Sequence, residues 1–267
     1  MRTHPLGIIC VPMTREETFK TAMEFSQLTH YDPRCAVACC IVTALIRGIL
    51  RGEVQGESDD CQIVEDAYKW VSAQDAWEIP APVLDRQEFE RHVYAASLSE
   101  LQLDDSRTIG YVYKALGASL LMLRRAMRVP STSTDVFRGL IEELVMAGGD
   151  ADTNACVAGA LVGCWVGFSA LPTEWREGIQ HKEWLLGKTE ALAQTVGIVD
   201  GEYKGSEDPD TAFDGGRGIL AEEELRERGD KLLNDVLKRM KEREDRKKVE
   251  EEGGKTGGGR WRKWIGR

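Results

Sequence analysis

Residues 148–155 concentrate side chains that can bind a hard metal ion. Asp150, Asp152 and Thr153 stand within four residues, directly after a Gly-Gly pair and at a predicted helix start. Two carboxylates and a hydroxyl suit Mg²⁺ or Mn²⁺, and these eight residues offer no soft ligand for zinc. The same acids could instead cap the helix and complement its dipole, an effect on the order of 1 kcal/mol. Spacing alone favours capping, because DxDT is a short pattern.

A glycine pattern continues behind this acidic turn. Gly159, Gly163 and Gly167 recur every four residues. This spacing places them on one face of a helix, where the missing side chains let a neighbouring helix pack closely. The Gly148-Gly149 pair in turn ends the helix before it. The acids are therefore predicted to begin a tightly packed helix.

Helix start signals recur along the chain. Thr14 is a predicted N-cap with acids in the first turn, and Asp32-Pro33 is a second start, followed by an apolar core helix. Period-two strands of convincing length are missing, so the sequence predicts an all-α fold of orthogonally packed helices. The predicted helices cover residues 14–28, 33–50, 61–77, 86–101, 106–128, 136–146, a segment from 150, and 181–196.

The composition changes after about residue 200. We predict one helical domain over residues 1–200, a Gly- and acid-rich linker over 201–219, a charged helix over 220–252 and a disordered tail over 253–267. The charged helix carries apolar residues at roughly helical spacing, which is typical of a solvated helix with a weak apolar stripe. The basic, aromatic end is more typical of a disordered terminus than of a binding element.

The bulk composition excludes several classes of protein. A formal charge of -10 argues against a general nucleic-acid or membrane-surface binder. The seven cysteines include no CxxC pair, which indicates reduced thiols in an intracellular, and so cytoplasmic, protein. The apolar runs 155–171 and 35–50 fit buried helices better than membrane spans, by length and flanking residues. We expect a monomer with no membrane or nucleic-acid partner.

Longer motifs resemble one known family. The stretch GGDADTNACVAGALVGCWVGFSALPTEW resembles the C-terminal signature of the ADP-ribosylglycohydrolases, in which GGDxDTNA leads a glycine-spaced helix and then LPxxW. Three further segments are similar to family motifs: Thr29-His30-Tyr31-Asp32-Pro33-Arg34 to T-H-x-D-P, Met1-Arg2-Thr3-His4-Pro5-Leu6-Gly7 to a loop of the form NG-x-x-MR, and Gly110-Tyr111-Val112 to the G-Y-V pattern. The resemblance covers roughly residues 1–197 and is closest to fungal members.

The resemblance implies a helical, magnesium-dependent hydrolase that removes ADP-ribose from modified proteins or related small conjugates. It implies two Mg²⁺ ions, with Mn²⁺ as an alternative, in a cleft for ADP-ribose. It assigns metal-binding roles to Asp150, Asp152 and Thr153 and a place beside the substrate to His30. The segment 1–7 is expected to line the same pocket. A separate general acid or base is expected, since metal-bound carboxylates do not readily act as free acids, and no residue is assigned to that role.

Some family motifs do not occur in this sequence. A G-D-x-x-G element, a T/S-D-D-T element and a catalytic glutamate precede the opening loop in family members, and Met1 coincides with a methionine inside that loop. This suggests a truncated gene model, an alternative start or a degenerate paralogue. The paired acids Asp59-Asp60 and Asp104-Asp105 lack the flanking Thr and are interpreted as a turn and a helix cap.

The missing motifs leave more than one expectation for function. Three oxygen ligands from one turn bind Mg²⁺ poorly, so weak metal binding and little or no hydrolase activity are expected in this form. The alternative is a catalytically dead helical module that binds ADP-ribose or a protein partner, with the charged helix as its interaction element. A third reading is a fragment without stable function.

Overall fold

The computed structural model describes residues 2–74, 84–130, 135–208, 210 and 222–257, and every regular element among them is helical. The helices are α1 (His4–Ile9), α2 (Arg15–Gln27), α3 (Pro33–Leu50), α4 (Glu57–Ser72), α5 (Arg86–Val93), α6 (Leu98–Leu101), α7 (Val112–Arg128), α8 (Val136–Met146), α9 (Ala151–Val166), α10 (Thr173–Gly178), α11 (Lys182–Thr195) and α12 (Glu222–Gly257). The all-α prediction is confirmed.

Contacts divide the chain into two units. The first, Met1–Tyr203, contains α1 to α11 and both hydrophobic core clusters. The second, Lys204–Arg267, contains α12. Helix α12 continues to Gly257, so residues 253–257 are helical although the sequence analysis places them in a disordered tail. Each further residue of a formed helix adds one backbone hydrogen bond, and for this reason α12 continues past its glycines. The predicted tail beyond 257 and most of the predicted linker lie outside the described residues.

Several predicted helix boundaries shift. Helix α2 begins at the predicted cap, where Thr14 and Glu17 form a capping box, and α3 begins after Asp32, whose carboxylate accepts the Arg34 N–H. The predicted helix 86–101 is two helices, α5 and α6, and the predicted helix 106–128 begins only at Val112. Tight turns break both segments, and apolar spacing does not detect such turns. The predicted extension to Trp77 and the loop residues 131–134 lie outside the described residues.

Helix α3 is the centre of the first unit. It packs against α1, α2, α4, α7 and α9, and 13 of its 18 residues are buried. It is long and apolar enough to cross a membrane by length and composition, but 72% of it is buried inside the protein. Burial on this scale is typical of a core helix, as the sequence predicts.

The glycine stripe of α9 packs as predicted at Gly159 and Gly163, whereas Gly167 lies just past the end of the helix with φ +82° and nothing near its Cβ position. Phe137 of α8 approaches the stripe, so a Cβ atom would lie 3.9 Å from the Phe137 ring at Gly159 and 3.5 Å at Gly163. These are ordinary contact distances, so the ring rests directly on the smooth face of the helix. Helices α7 and α8 hold α9 from two sides, which fixes where its N-terminus points.

A buried ion pair joins α4 to α7. Asp60 is fully buried, and its Oδ2 accepts a hydrogen bond from Arg124 Nε at 2.5 Å. Arg124 also donates to the Val93 carbonyl oxygen, which ties in the end of α5. Burial raises the pKa of Asp60, and the charge of Arg124 opposes that rise. The interpretation of Asp59-Asp60 as a turn is therefore wrong: both residues belong to α4, because the pair with Arg124 fixes that helix.

Replacing Arg124 with alanine should strongly destabilise the protein. The variant leaves the Asp60 carboxylate buried without its cation, which costs about 3–5 kcal/mol of unfolding free energy. Arg125→Ala is the matched control, since Arg125 lies on the same helix and pairs with the exposed Glu143, and its loss should cost at most about 1 kcal/mol. Urea unfolding followed by circular dichroism measures both. Equal losses would mean that the buried pair contributes no more than a surface pair.

Candidate functional site

A cavity of about 520 Å³ lies in the first unit. Its wall brings together the opening segment, the α2–α3 turn, the inner face of α3, the start of α7 and the start of α9. The lining residues are Arg2, Thr3, His4, Ser26, Thr29, His30, Cys35, Ala38, Cys39, Val42, Ile109, Gly110, Tyr111, Val112, Ala115, Leu116, Asp150, Thr153, Asn154 and Val157. Three predicted site residues, Asp150, Thr153 and His30, therefore share one wall although they are distant in the chain.

The double glycine sets the position of Asp150. Gly148 and Gly149 have φ values of +76° and +74°, a region that side chains rarely adopt. A Cβ atom at Gly149 would lie 2.1 Å from the Leu103 carbonyl oxygen, so only glycine allows this approach. On the other side Lys114 donates to the Gln102 carbonyl oxygen and supports the turn that contains Leu103. The start of α9 is therefore pressed against the α6–α7 turn.

The two acids differ in their surroundings. Asp150 occupies the N-cap position of α9 but makes no side-chain capping bond, so its carboxylate remains available to the cavity. Asp152 is exposed outside the cavity wall, and its Oδ1 accepts the Thr153 N–H at 2.7 Å. A side-chain hydrogen bond with Asp150 lowers the pKa of Asp152 below its ordinary value, and the Thr153 N–H adds to this. Simple capping does not account for Asp150.

His30 belongs to a small polar cluster at the α2–α3 turn. Its Nδ1 lies 2.8 Å from the Thr29 hydroxyl oxygen, which also accepts a hydrogen bond from Arg2 Nη2 at 2.9 Å. Arg2 donates a second bond to the Phe25 carbonyl oxygen. Because the guanidinium is fixed at two points, the opening segment and the turn after α2 form one continuous wall.

The opening segment is partly helical where the sequence analysis expects a loop. Helix α1 starts at His4, with Pro5 in its first turn, and Gly7 packs against Ile46 of α3. His4, which the sequence analysis leaves as structural or on the surface, lines the cavity and lies 3.5 Å from the Cys156 sulfur. Burial lowers the pKa of His4 to about 4, so its ring is neutral near pH 7. A single histidine before a proline is not a sequence pattern that predicts a position in a cavity wall.

The donor set fits a hard cation. Asp150 and Asp152 are two acidic side chains that interact with each other, and one shared cation would offset the repulsion between their charged forms. Thr153 adds a hydroxyl at the cavity wall. Among the described residues no group of three or more His, Cys, Asp and Glu side chains could hold a metal ion. These residues would supply part of the coordination of a Mg²⁺ ion.

One family model and several known proteins match parts of the chain. The model of the ADP-ribosylglycohydrolase family matches residues 1–203. ADP-ribosylhydrolase ARH3 of Bos taurus is 34% identical over 68 residues, which is 26% of this chain and 17% of that protein. The mouse protein of the same name is 35% identical over an equal stretch with the same shares. A mimivirus protein provisionally named ADP-ribosyl glycohydrolase L543 is 32% identical over 92 residues, 34% of this chain and 25% of its own length. The matches thus span a quarter or less of these relatives.

Replacing Gly149 with alanine should unfold the turn that carries Asp150. The new Cβ atom would clash with the Leu103 carbonyl oxygen, and alanine is unfavourable at this φ. Together these effects should lower the unfolding free energy by more than about 2 kcal/mol. Gly187→Ala in α11 should instead raise the unfolding free energy by up to about 1 kcal/mol, because φ is not positive there and a Cβ atom would meet open space. Chemical denaturation of the two variants measures the difference. A neutral Gly149→Ala would show that the turn tolerates a side chain.

Proposed function

This chain belongs to the ADP-ribosylglycohydrolase family, and on that premise we propose that it binds ADP-ribose in the cavity and hydrolyses its linkage to a protein side chain or a related small conjugate. The observation that carries the proposal is the convergence of Asp150, Thr153 and His30 on one cavity wall. A cavity of about 520 Å³ falls in the usual range for small-molecule and cofactor sites. The relatives named for ADP-ribose hydrolysis agree with this substrate class.

The cavity provides groups for both ends of such a ligand. Arg2 and His30 offer nitrogen donors to a pyrophosphate, and the Arg2 guanidinium already has a fixed direction. Asp150 and Thr153, at the start of α9, offer oxygen atoms that can bind a metal ion. Apolar side chains of α3 and α7 line the same cavity and exclude water from the space between these two groups of polar residues. The residues therefore orient the ligand, and no general acid or base is assigned.

Magnesium is part of the proposal. Asp150, Asp152 and Thr153 would hold it, and a bound Mg²⁺ would supply a Lewis acid that orients ribose hydroxyls and stabilises developing charge. Breaking the glycosidic bond builds positive charge on the ribose, which the carboxylates favour. Because one turn supplies few ligands, we propose weak metal binding and low turnover for this polypeptide.

A second function follows from the same residues. In the part of the chain that the structure describes, two carboxylates lie together at the start of α9, and a site with so few ligands can bind a molecule without catalysing its hydrolysis. The alternative is a catalytically inactive module that binds ADP-ribose or a protein partner. In that case binding would not depend on Mg²⁺ or on Asp150.

A thermal unfolding titration tests the proposal. Purified chain is titrated with ADP-ribose, with and without Mg²⁺, and the same preparation is assayed for release of ADP-ribose from a modified peptide. A ligand that binds the folded state stabilises it by RT ln(1 + [L]/Kd), about 2.7 kcal/mol at one hundred times Kd. We expect stabilisation that requires Mg²⁺ and disappears in Asp150→Asn, with little turnover.

The matched control is Asp59→Asn. Asp59 lies in α4 outside the cavity wall, and its substitution removes the same charge, so ADP-ribose should stabilise this variant like the wild type. Stabilisation without Mg²⁺ that survives Asp150→Asn would favour the binding module. A folded wild type that ADP-ribose does not stabilise under any condition would contradict both functions.

A further inference from the structure

Tyr111 contributes an aromatic ring to the cavity wall. It stands at the N-cap position of α7, and its backbone N–H bonds the Thr108 carbonyl oxygen. The backbone leaves the ring free to turn about its side-chain bonds. The shape of the cavity therefore depends on what holds the ring.

Helix α5 holds the ring from outside the cavity. The Tyr111 hydroxyl donates a hydrogen bond of 2.9 Å to Glu88 Oε1, and Glu88 does not line the cavity. One turn later His92 packs edge-on against the Tyr111 ring, with centroids 5.5 Å apart and planes at 76°. His92 Nδ1 in turn lies 2.8 Å from the Glu88 carbonyl oxygen. Glu88 and His92 therefore fix both the hydroxyl and the edge of the ring.

Helix α3 contributes a third contact. The Arg34 guanidinium lies 5.6 Å from the centre of the Tyr111 ring, within the range of a cation–π interaction. Asp32 fixes that guanidinium through two hydrogen bonds, of 3.0 and 2.7 Å. The ring thus lies between groups on α3 and α5 that are themselves held in place.

The Tyr111 hydroxyl is a lasting donor to Glu88. Burial first, and then the bond to Glu88, raise the pKa of Tyr111 above its ordinary value. The hydroxyl therefore keeps its proton at neutral pH. A hydrogen bond to a charged acceptor is about twice as strong as one between neutral groups, so Glu88 restrains the hydroxyl strongly, beside the Arg34 guanidinium with which the hydroxyl also interacts.

We propose that Glu88 is a positioning residue that fixes the Tyr111 ring as a wall of the ADP-ribose cavity, and that ligand affinity depends on Glu88 although it touches no ligand. The inference rests on the proposed function for its ligand but not for its geometry. A ring that is already oriented loses no rotamer freedom when a planar or sugar group packs on it, and this loss would otherwise weaken binding.

The first test is a double-mutant cycle on ADP-ribose affinity, measured by calorimetry. Glu88→Ala and Tyr111→Phe both remove the hydrogen bond between these two side chains, and Tyr111→Phe also removes the interaction of the hydroxyl with Arg34. Each variant should weaken binding about fivefold to tenfold. The double variant should bind no more weakly than the weaker single variant, because the two side chains act as one unit. Glu88→Gln keeps an acceptor oxygen and should restore binding to within about twofold. If the affinity losses of the two single variants multiply in the double variant, the inference is overturned.

Glu90→Ala is the matched control. Glu90 lies on the same helix and pairs with Arg86 at 2.7 Å, on the surface and away from Tyr111. Its removal should leave the affinity unchanged, which separates positioning of Tyr111 from general damage to α5. Equal losses in Glu90→Ala and Glu88→Ala would contradict a specific role for Glu88.

A second readout does not depend on the ligand. In protein with ¹³C-labelled tyrosine, the ring resonances of Tyr111 should shift and sharpen in Glu88→Ala, because the ring turns faster, and should stay unchanged in Glu90→Ala. Unchanged Tyr111 resonances in Glu88→Ala would overturn the inference whether or not ADP-ribose binds. If the ring responds while the wild type fails to bind ADP-ribose, the proposed function fails and the positioning of Tyr111 stands.

Discussion

The site depends on the contact between the backbone of Gly149 and the carbonyl oxygen of Leu103. Only a residue without a Cβ atom fits this contact, and only at a positive φ. The contact brings the start of α9 against the α6–α7 turn, where Gly110 lies with its own Cβ position 4.0 Å from Asp150 Oδ2. The acids therefore owe their place to two backbone segments that touch, and α8 maintains the contact by packing on the glycine face of α9.

A second close contact positions the opening segment beside the same cavity. Gly7 of α1 packs on Ile46 of α3, where a Cβ atom would lie 2.6 Å from the Ile46 side chain. This contact carries the opening segment to the cavity, where Arg2 bonds to the turn after α2. Because most residues of α3 are buried and α3 packs against both α1 and α9, it supports the opening segment and the start of α9 together. The cavity is thus a gap between helices that each pack against one rigid element.

Charged groups around the cavity are held rather than free. Arg34 pairs with Asp32, and Arg124 pairs with Asp60, so these two cations already have partners. The polar groups that face the cavity include instead Arg2, His30, Asp150 and Thr153. The proposed anionic ligand is compatible with a formal charge of -10 for the chain, because local groups such as Arg2 act at the cavity while the net charge is spread over the whole surface.

The sequence alone determined the helical class, the caps at Thr14 and Asp32 and the glycine face of α9, because all of these follow from local chemistry and helical spacing. It also placed Asp150, Thr153 and His30 as site candidates, largely through the long motif shared with one family. It did not determine the pairing of Asp60 with Arg124, the cavity position of His4 or the contact of Glu88 with Tyr111. Those depend on which helices meet and at what distance, and only the packing of the folded chain decides this, since partners far apart in sequence leave no periodic signal.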